Sequence, residues 1–222
     1  MDILSDYDVL GAFWVTVQLT LWAALGSLIW GTILAGFRVS PVPLLRAFGT
    51  GYINIVRNTP LTLIIVACSL GLNQTLRISL GGDEDVQTLN FRLAVLGMTA
   101  YTATFVCESI RSGINTVPVG QAEAARALGL GFSQVLRIIV LPQAFRSVIA
   151  PLASVLIALT KNTTVASAIG VAEAAFLMSD MIENESDKIF LVFAIFALGF
   201  VILTLPVGLI LGWVAKKAAV KR

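Results

Sequence analysis

Apolar residues come in blocks along this chain, and the blocks have the length of a membrane crossing. From Val9 to Phe37 no charged side chain interrupts the run. A helix needs roughly 20 mostly apolar residues to traverse the hydrocarbon layer, so this is the clearest span. Less uniform blocks follow at Tyr52–Leu72, Leu93–Ile110 and Phe145–Thr160, and a strong one closes the chain at Ile189–Val214. Only helices and closed barrels satisfy their backbone groups in lipid. The pattern predicts an all-α integral membrane protein with five transmembrane helices and termini on opposite sides.

Composition agrees. The 222 residues are 57% hydrophobic and only 13% charged, with a mean hydropathy of +0.90, more apolar than one soluble core can hide. There is no histidine, which argues against imidazole-based hydrolysis and the usual zinc sites. No cofactor, metal or nucleic-acid partner is expected. Cys68 and Cys107 lie inside apolar stretches and read as packing thiols. Asp2, Asp6 and Asp8 stand where a secretory signal would carry basic residues, so the first run is expected to stay as a span.

Charge orients the spans, because Lys and Arg are retained on the cytoplasmic side. One set of segments holds Arg38, Arg46, Arg57, Arg111, Arg126, Arg137, Arg146, Lys216, Lys217, Lys221 and Arg222. The other holds only Arg77, Arg92, Lys161 and Lys188, so the division is 11 against 4 of the 15 cations. Glu108 and Glu123 fall on the Arg-rich side and the remaining 11 of 13 acids opposite. The expected topology is N-terminus outside and C-terminus cytoplasmic, with all of 1–222 a single transmembrane domain.

The segment of about 111–141 is too polar to span and too apolar for a linker. Pro118 and Gly129 bracket a run from Gln121 to Leu128, the arrangement expected of a short helix. Here Glu123-Ala124-Ala125 is followed after three residues by Gly129, and after nine more by Ile139-Val140-Leu141-Pro142. This resembles the EAA motif of ABC importer permeases. Glu108-Ser109-Ile110-Arg111-Ser112-Gly113-Ile114, Val117-Pro118-Val119-Gly120-Gln121 and Arg57-Asn58-Thr59-Pro60-Leu61 resemble the polar amino acid branch of that family. Further stretches, Phe91 to Gly97 and Leu159 to Thr164, are similar to glutamate-importer permeases of actinobacteria.

The resemblance implies a MetI-like type I importer fold with Glu123, Ala124, Ala125 and Gly129 in a helix that docks on an ABC ATPase subunit dimer. It implies a second permease subunit, as a heterodimer or a homodimer, and an extracellular substrate-binding protein. Membrane lipid surrounds the rest. Small alanines permit close approach, Glu123 offers an anion to a basic groove, and Gly129 permits a sharp turn.

Two segments are candidates for the substrate path. Arg57-Asn58-Thr59-Pro60 places a cation, two capping residues and a proline in a row, so Thr59 is expected to cap and Pro60 to begin a new helix. Such a break is tolerated in a membrane only beside protein or water, and a fresh helix start attracts anions. An interfacial Arg57 ahead of an ordinary span is the alternative. Lys161-Asn162-Thr163 supplies a second cation with hydrogen-bonding neighbours, or else an anchor at a span's outer end. Glu108 is expected to pair with Arg111 at i+3.

Gly26 and Gly31 have P-loop spacing, but Thr32 stands where the phosphate-binding lysine belongs, so no ATP site is expected in this chain. Gly208 and Gly212 read as helix packing. Against a permease stand a lone secondary transporter or channel and a membrane enzyme. Five spans without an internal repeat disfavour the former, and the missing histidines the latter.

Overall fold

The computed structural model describes residues 6–76 and 85–218. Asp2, Arg77, Lys221 and Arg222, part of the charge division above, lie outside the described residues. Every regular element among those described is helical: α1 (Val9–Val39), α2 (Pro43–Arg57), α3 (Leu61–Ala67), α4 (Val86–Asn115), α5 (Val119–Ala127), α6 (Leu141–Asn162), α7 (Ala174–Asn184) and α8 (Ile189–Ala218). A π-helical turn, Cys68–Thr75, extends α3, and another, Val135–Val140, leads into α6.

α1 has 31 residues and α4 has 30; at 1.5 Å per residue each is about 45 Å long, more than the hydrocarbon layer. Carboxylates start both: Asp8 accepts from the Gly11 amide at 2.8 Å and Asp85 from the Thr88 amide at 2.6 Å. The two helices run parallel. Leu19 shares a core with Ala94, Gly26 faces Thr99, Gly31 faces Ala103 and Val106, and Arg38 pairs with Glu108. A Cβ at Gly31 would stand 2.8 Å from the Ala103 carbonyl oxygen, so this glycine with P-loop spacing serves close helix packing.

Parallel α1 and α4 settle a question of counting. The chain leaves α1 at Val39 and enters α4 at the bundle's opposite end, so residues between must cross back. Among the described residues four helices are long and apolar enough to span alone, and with the bent α2–α3 pair taken as one span there are five. The less uniform block Tyr52–Leu72, where a break ahead of a new helix is expected, is indeed two helices, bent by 105°. Pro60 has no N–H and cannot continue α2.

The details of that break differ from expectation. Pro60 itself is the cap residue of α3 and no side chain bonds to the new helix start. Thr59 Oγ1 donates to the Ile55 carbonyl at 2.8 Å and Asn58 Nδ2 to the Asn54 carbonyl at 2.7 Å. Both side chains therefore finish α2, because its last carbonyls lack partners and lie within their reach.

The fourth span is longer than Phe145–Thr160. Helical structure runs from Phe132 through α6 and a 3-10 stretch, Thr163–Ile169, to Gly170 at φ +79°. α6 is antiparallel to α4: Gly113 meets Val148 near one end, and Tyr101 and Asn162 share a cavity nearer the other. The short helix α7, which the apolar pattern does not mark, comes next and starts at the fully buried Glu173. Gly208 of α8 faces Ile157, while Gly212 meets nothing.

Candidate functional site

The segment between α4 and α6 folds as the Pro-to-Gly bracket predicts, into α5 with Pro118 as its cap residue. Its far end is a Schellman turn. The Leu130 amide donates to the Ala125 carbonyl and the Gly129 amide to the Arg126 carbonyl, with Gly129 left-handed at φ +89°. Leu130 closes the turn by packing on the same cluster as Ala125.

The four motif residues divide by face. Glu123, Ala124 and Gly129 are exposed, whereas Ala125 is buried among Val117, Val135, Val140 and Ala144. Ala125 is therefore a fixing point: the motif's second alanine lets α5 sit against the root of α6. Gln143 Nε2 donates to Gln121 Oε1 at 2.7 Å, and Thr116 Oγ1 to Ser147 Oγ at 3.0 Å. Val135 and Val140 stand in the π-helical turn that leads into α6 and Gln143 and Ala144 in its first turn, while Thr116 ties the end of α4 to the same root. Leu128 and Val119 project outward, apolar and largely exposed.

Glu108 pairs with Arg111 at 3.4 Å as expected, and also with Arg38 of α1. The second bond joins residues 70 apart, which helix spacing cannot reveal. It pins α1 to α4 at the end that carries α5.

The substrate-path candidates gather near the middle of the bundle. Tyr52 Oη donates to the Ala100 carbonyl, in the middle of the thirty-residue α4, at 2.9 Å. Leu61, just past the break, shares a core with Ala23, Met98 and Leu159, with Val165 and Ile169 packed against it. The 57–60 break and the 161–163 segment thus converge through Leu61 and Leu159. Helical structure continues past Lys161 to Ile169. Arg57 and Lys161 are exposed, and neither has an ion-pair partner among the described residues.

Asn162 lines a cavity of about 360 Å³ between α4 and α6, with Tyr101, Thr102, Phe105 and Ser154. Sequence reasoning missed these four, since nothing in a uniformly apolar stretch marks which face is hollow. Thr163 does not join them. It is fully buried and donates to the Thr160 carbonyl at 2.8 Å. Cys107 is buried and Cys68 half-buried. Among the described residues no group of three or more His, Cys, Asp or Glu gathers as a metal site.

Glu173 is equally inconspicuous in the sequence, one acid among many. Its Oε2 accepts from the Ala175 amide at 2.9 Å and its Oε1 from the Phe176 amide at 3.0 Å. Thr16 Oγ1 of α1 lies 3.5 Å from Oε2 and accepts from the Ala174 amide at 3.1 Å. Burial pushes this carboxyl up, against the pull of the two amides and Thr16.

Known proteins share both the sequence and the fold. A family model described as "Binding-protein-dependent transport system inner membrane component" matches residues 27–220. The chain is 61% identical over 218 residues to the glutamate transport system permease protein GluC of Corynebacterium efficiens, covering 97% of this chain and 96% of that protein. A probable glutamine ABC transporter permease protein, GlnM of Bacillus subtilis, is 33% identical over 208 residues, covering 92% and 90%. A crystal structure of an amino acid ABC transporter with histidines matches at a TM-score of 0.78 and 26% identity, over 94% of this chain and 93% of that one. The inward-facing methionine transporter MetNI shares the fold, with a TM-score of 0.75 at 17% identity over 99% and 100%.

Proposed function

The chain belongs to the binding-protein-dependent transport system inner membrane components, and we propose that within this family it forms the passage for an acidic amino acid, glutamate. It is a multi-pass membrane permease component of an ABC transporter. The carrying observation for the substrate is the 61% identity, end to end, to a permease named for glutamate transport.

In this reading the N-terminus lies outside and α5 faces the cytoplasm, where Glu123, Ala124 and Leu128 meet a groove of a separate ATPase dimer. The ATPase carries the nucleotide chemistry and this chain carries none. A second permease, more readily a homologue than an identical copy, completes the passage, and an external binding protein delivers the substrate. The 57–60 break, Asn162 with its cavity, and Lys161 lie along the route. Exposed cations at mid-bundle favour an anionic solute, since leaving them in lipid is expensive.

The test is uptake of radiolabelled amino acids by cells lacking this chain and by the complemented strain. Glutamate uptake should fall on deletion and return on complementation. Unchanged glutamate uptake with loss of another amino acid would overturn the substrate assignment.

A further inference from the structure

α2 presents three faces. Gly49 and Ile53 turn inward, onto Phe37, Arg38 and Leu34 of α1 and Ala103 of α4. Leu44, Phe48 and Ile55 share a second face and are exposed. The third face is polar: Arg46, Thr50, Asn54 and Arg57 stand at i, i+4, i+8 and i+11, and all four are exposed. Neither arginine has an ion-pair partner among the described residues. The Asn54 carbonyl receives the Asn58 amide, so the stripe runs on into the break.

Depth decides what such a helix borders. Gly49 packs beside Arg38 at the end of α1, whereas Tyr52 reaches the middle of α4. The stripe therefore rises from the bundle's edge to its interior. A helix exposing an apolar stripe on one side and two guanidinium groups on another has lipid on the first and water or polar ligand on the second.

We infer that the Arg46–Thr50–Asn54–Arg57 stripe is a carboxylate-binding ladder lining the passage between the α5 end of the bundle and the helix break, an inference that rests on the break belonging to the passage. Guanidinium forks match carboxylates in shape and charge, and the hydroxyl and carboxamide between them add donors. From residue 46 to residue 57 the helix rises about 16 Å. The arginines are thus successive stations for a small carboxylate-bearing solute and not one site. Lipid phosphate is the competing anion, and the test separates the two.

The test uses the assembled transporter, with its partner permease and ATPase, in proteoliposomes of defined lipid. In a Cys68→Ser, Cys107→Ser background that retains uptake, single cysteines are placed at 46, 50 and 54 and, for comparison, at 44, 48 and 55. A membrane-impermeant thiol reagent should label the first set roughly tenfold faster or more, because only a hydrated thiol ionises readily. Glutamate should slow that labelling, and added anionic lipid should not. Arg46→Gln should lower the acidic-to-neutral uptake ratio by about tenfold, equivalent to about 1.4 kcal/mol. Equal labelling of the two sets overturns the ladder. So does labelling of the polar set only after the partner permease is removed, or protection by anionic lipid alone. If glutamate is not carried but another transported carboxylate protects the stripe, the ladder stands and the substrate assignment falls.

Discussion

Replacing Glu173 with alanine should loosen α7 without unfolding the bundle. The side chain accepts two backbone amides at the start of α7, at 2.9 and 3.0 Å, in a fully buried position. Loss of a helix cap costs about 0.5–2 kcal/mol, and a buried donor left without an acceptor costs about 1–3 kcal/mol. Burial also disfavours the ionised carboxyl, which offsets part of the loss. A net cost of about 2 kcal/mol to local opening corresponds to roughly thirtyfold faster amide exchange. Hydrogen exchange of the 174–184 peptide, read by mass spectrometry in nanodiscs, measures this directly. Unchanged protection at Ala175 and Phe176 would refute the assigned role. The sign with pH comes from the raised carboxyl. Its protonated form suits the fold better than the unfolded chain, so that stability is full below the ordinary value of 4.5 and declines as pH rises through the raised one. Glu173→Gln should abolish this decline.

Other outcomes rest on the same geometry. Glu123→Lys should abolish uptake while membrane insertion, read by surface labelling and yield, stays normal; normal uptake would remove α5 from the coupling role. Gly129→Ala meets no neighbouring atom, so its cost is the left-handed backbone alone, about 1–2 kcal/mol, visible as reduced ATPase stimulation by substrate. Arg57→Gln and Lys161→Gln, assayed separately, should each weaken acidic amino acid uptake more than expression; an unchanged acidic-to-neutral preference in both would place charge selection elsewhere. Glu108→Gln leaves Arg38 half-buried beside a neutral group, and thermal unfolding in detergent should show a loss of about 2 kcal/mol, between the values for exposed and buried pairs.

Features that depend on neighbours in sequence are legible from the chain itself. The run Val9–Phe37, the Pro118-to-Gly129 bracket and the proline two residues after Asn58 each act through the chain's own backbone. Features that depend on contacts across the fold are not. Arg38 and Glu108 meet only because α1 and α4 run parallel in register. Lys161 reads as terminal because the polar Lys-Asn-Thr-Thr run breaks the apolar pattern, yet the helix continues past it to Ile169. Thr59 has the residue type of a cap for α3 and instead closes α2, a choice set by the position of the Ile55 carbonyl. Ala125 differs from Ala124 only in facing α6.

The attachment of α5 has a mechanical meaning. Its ties run to the root of α6, so displacement of α5 is delivered to α6 first. From Leu141 to Lys161 α6 is a lever about 30 Å long, and a tilt of about 5° about its root would move the far end by about 2.6 Å, comparable to the helix shifts known in switching proteins. Pro151, inside α6, removes one backbone bond part-way along and gives that lever a preferred point of flexure. Stiffening it with Pro151→Ala would alter how far a push at Glu123 is felt at Asn162, with neither end touched.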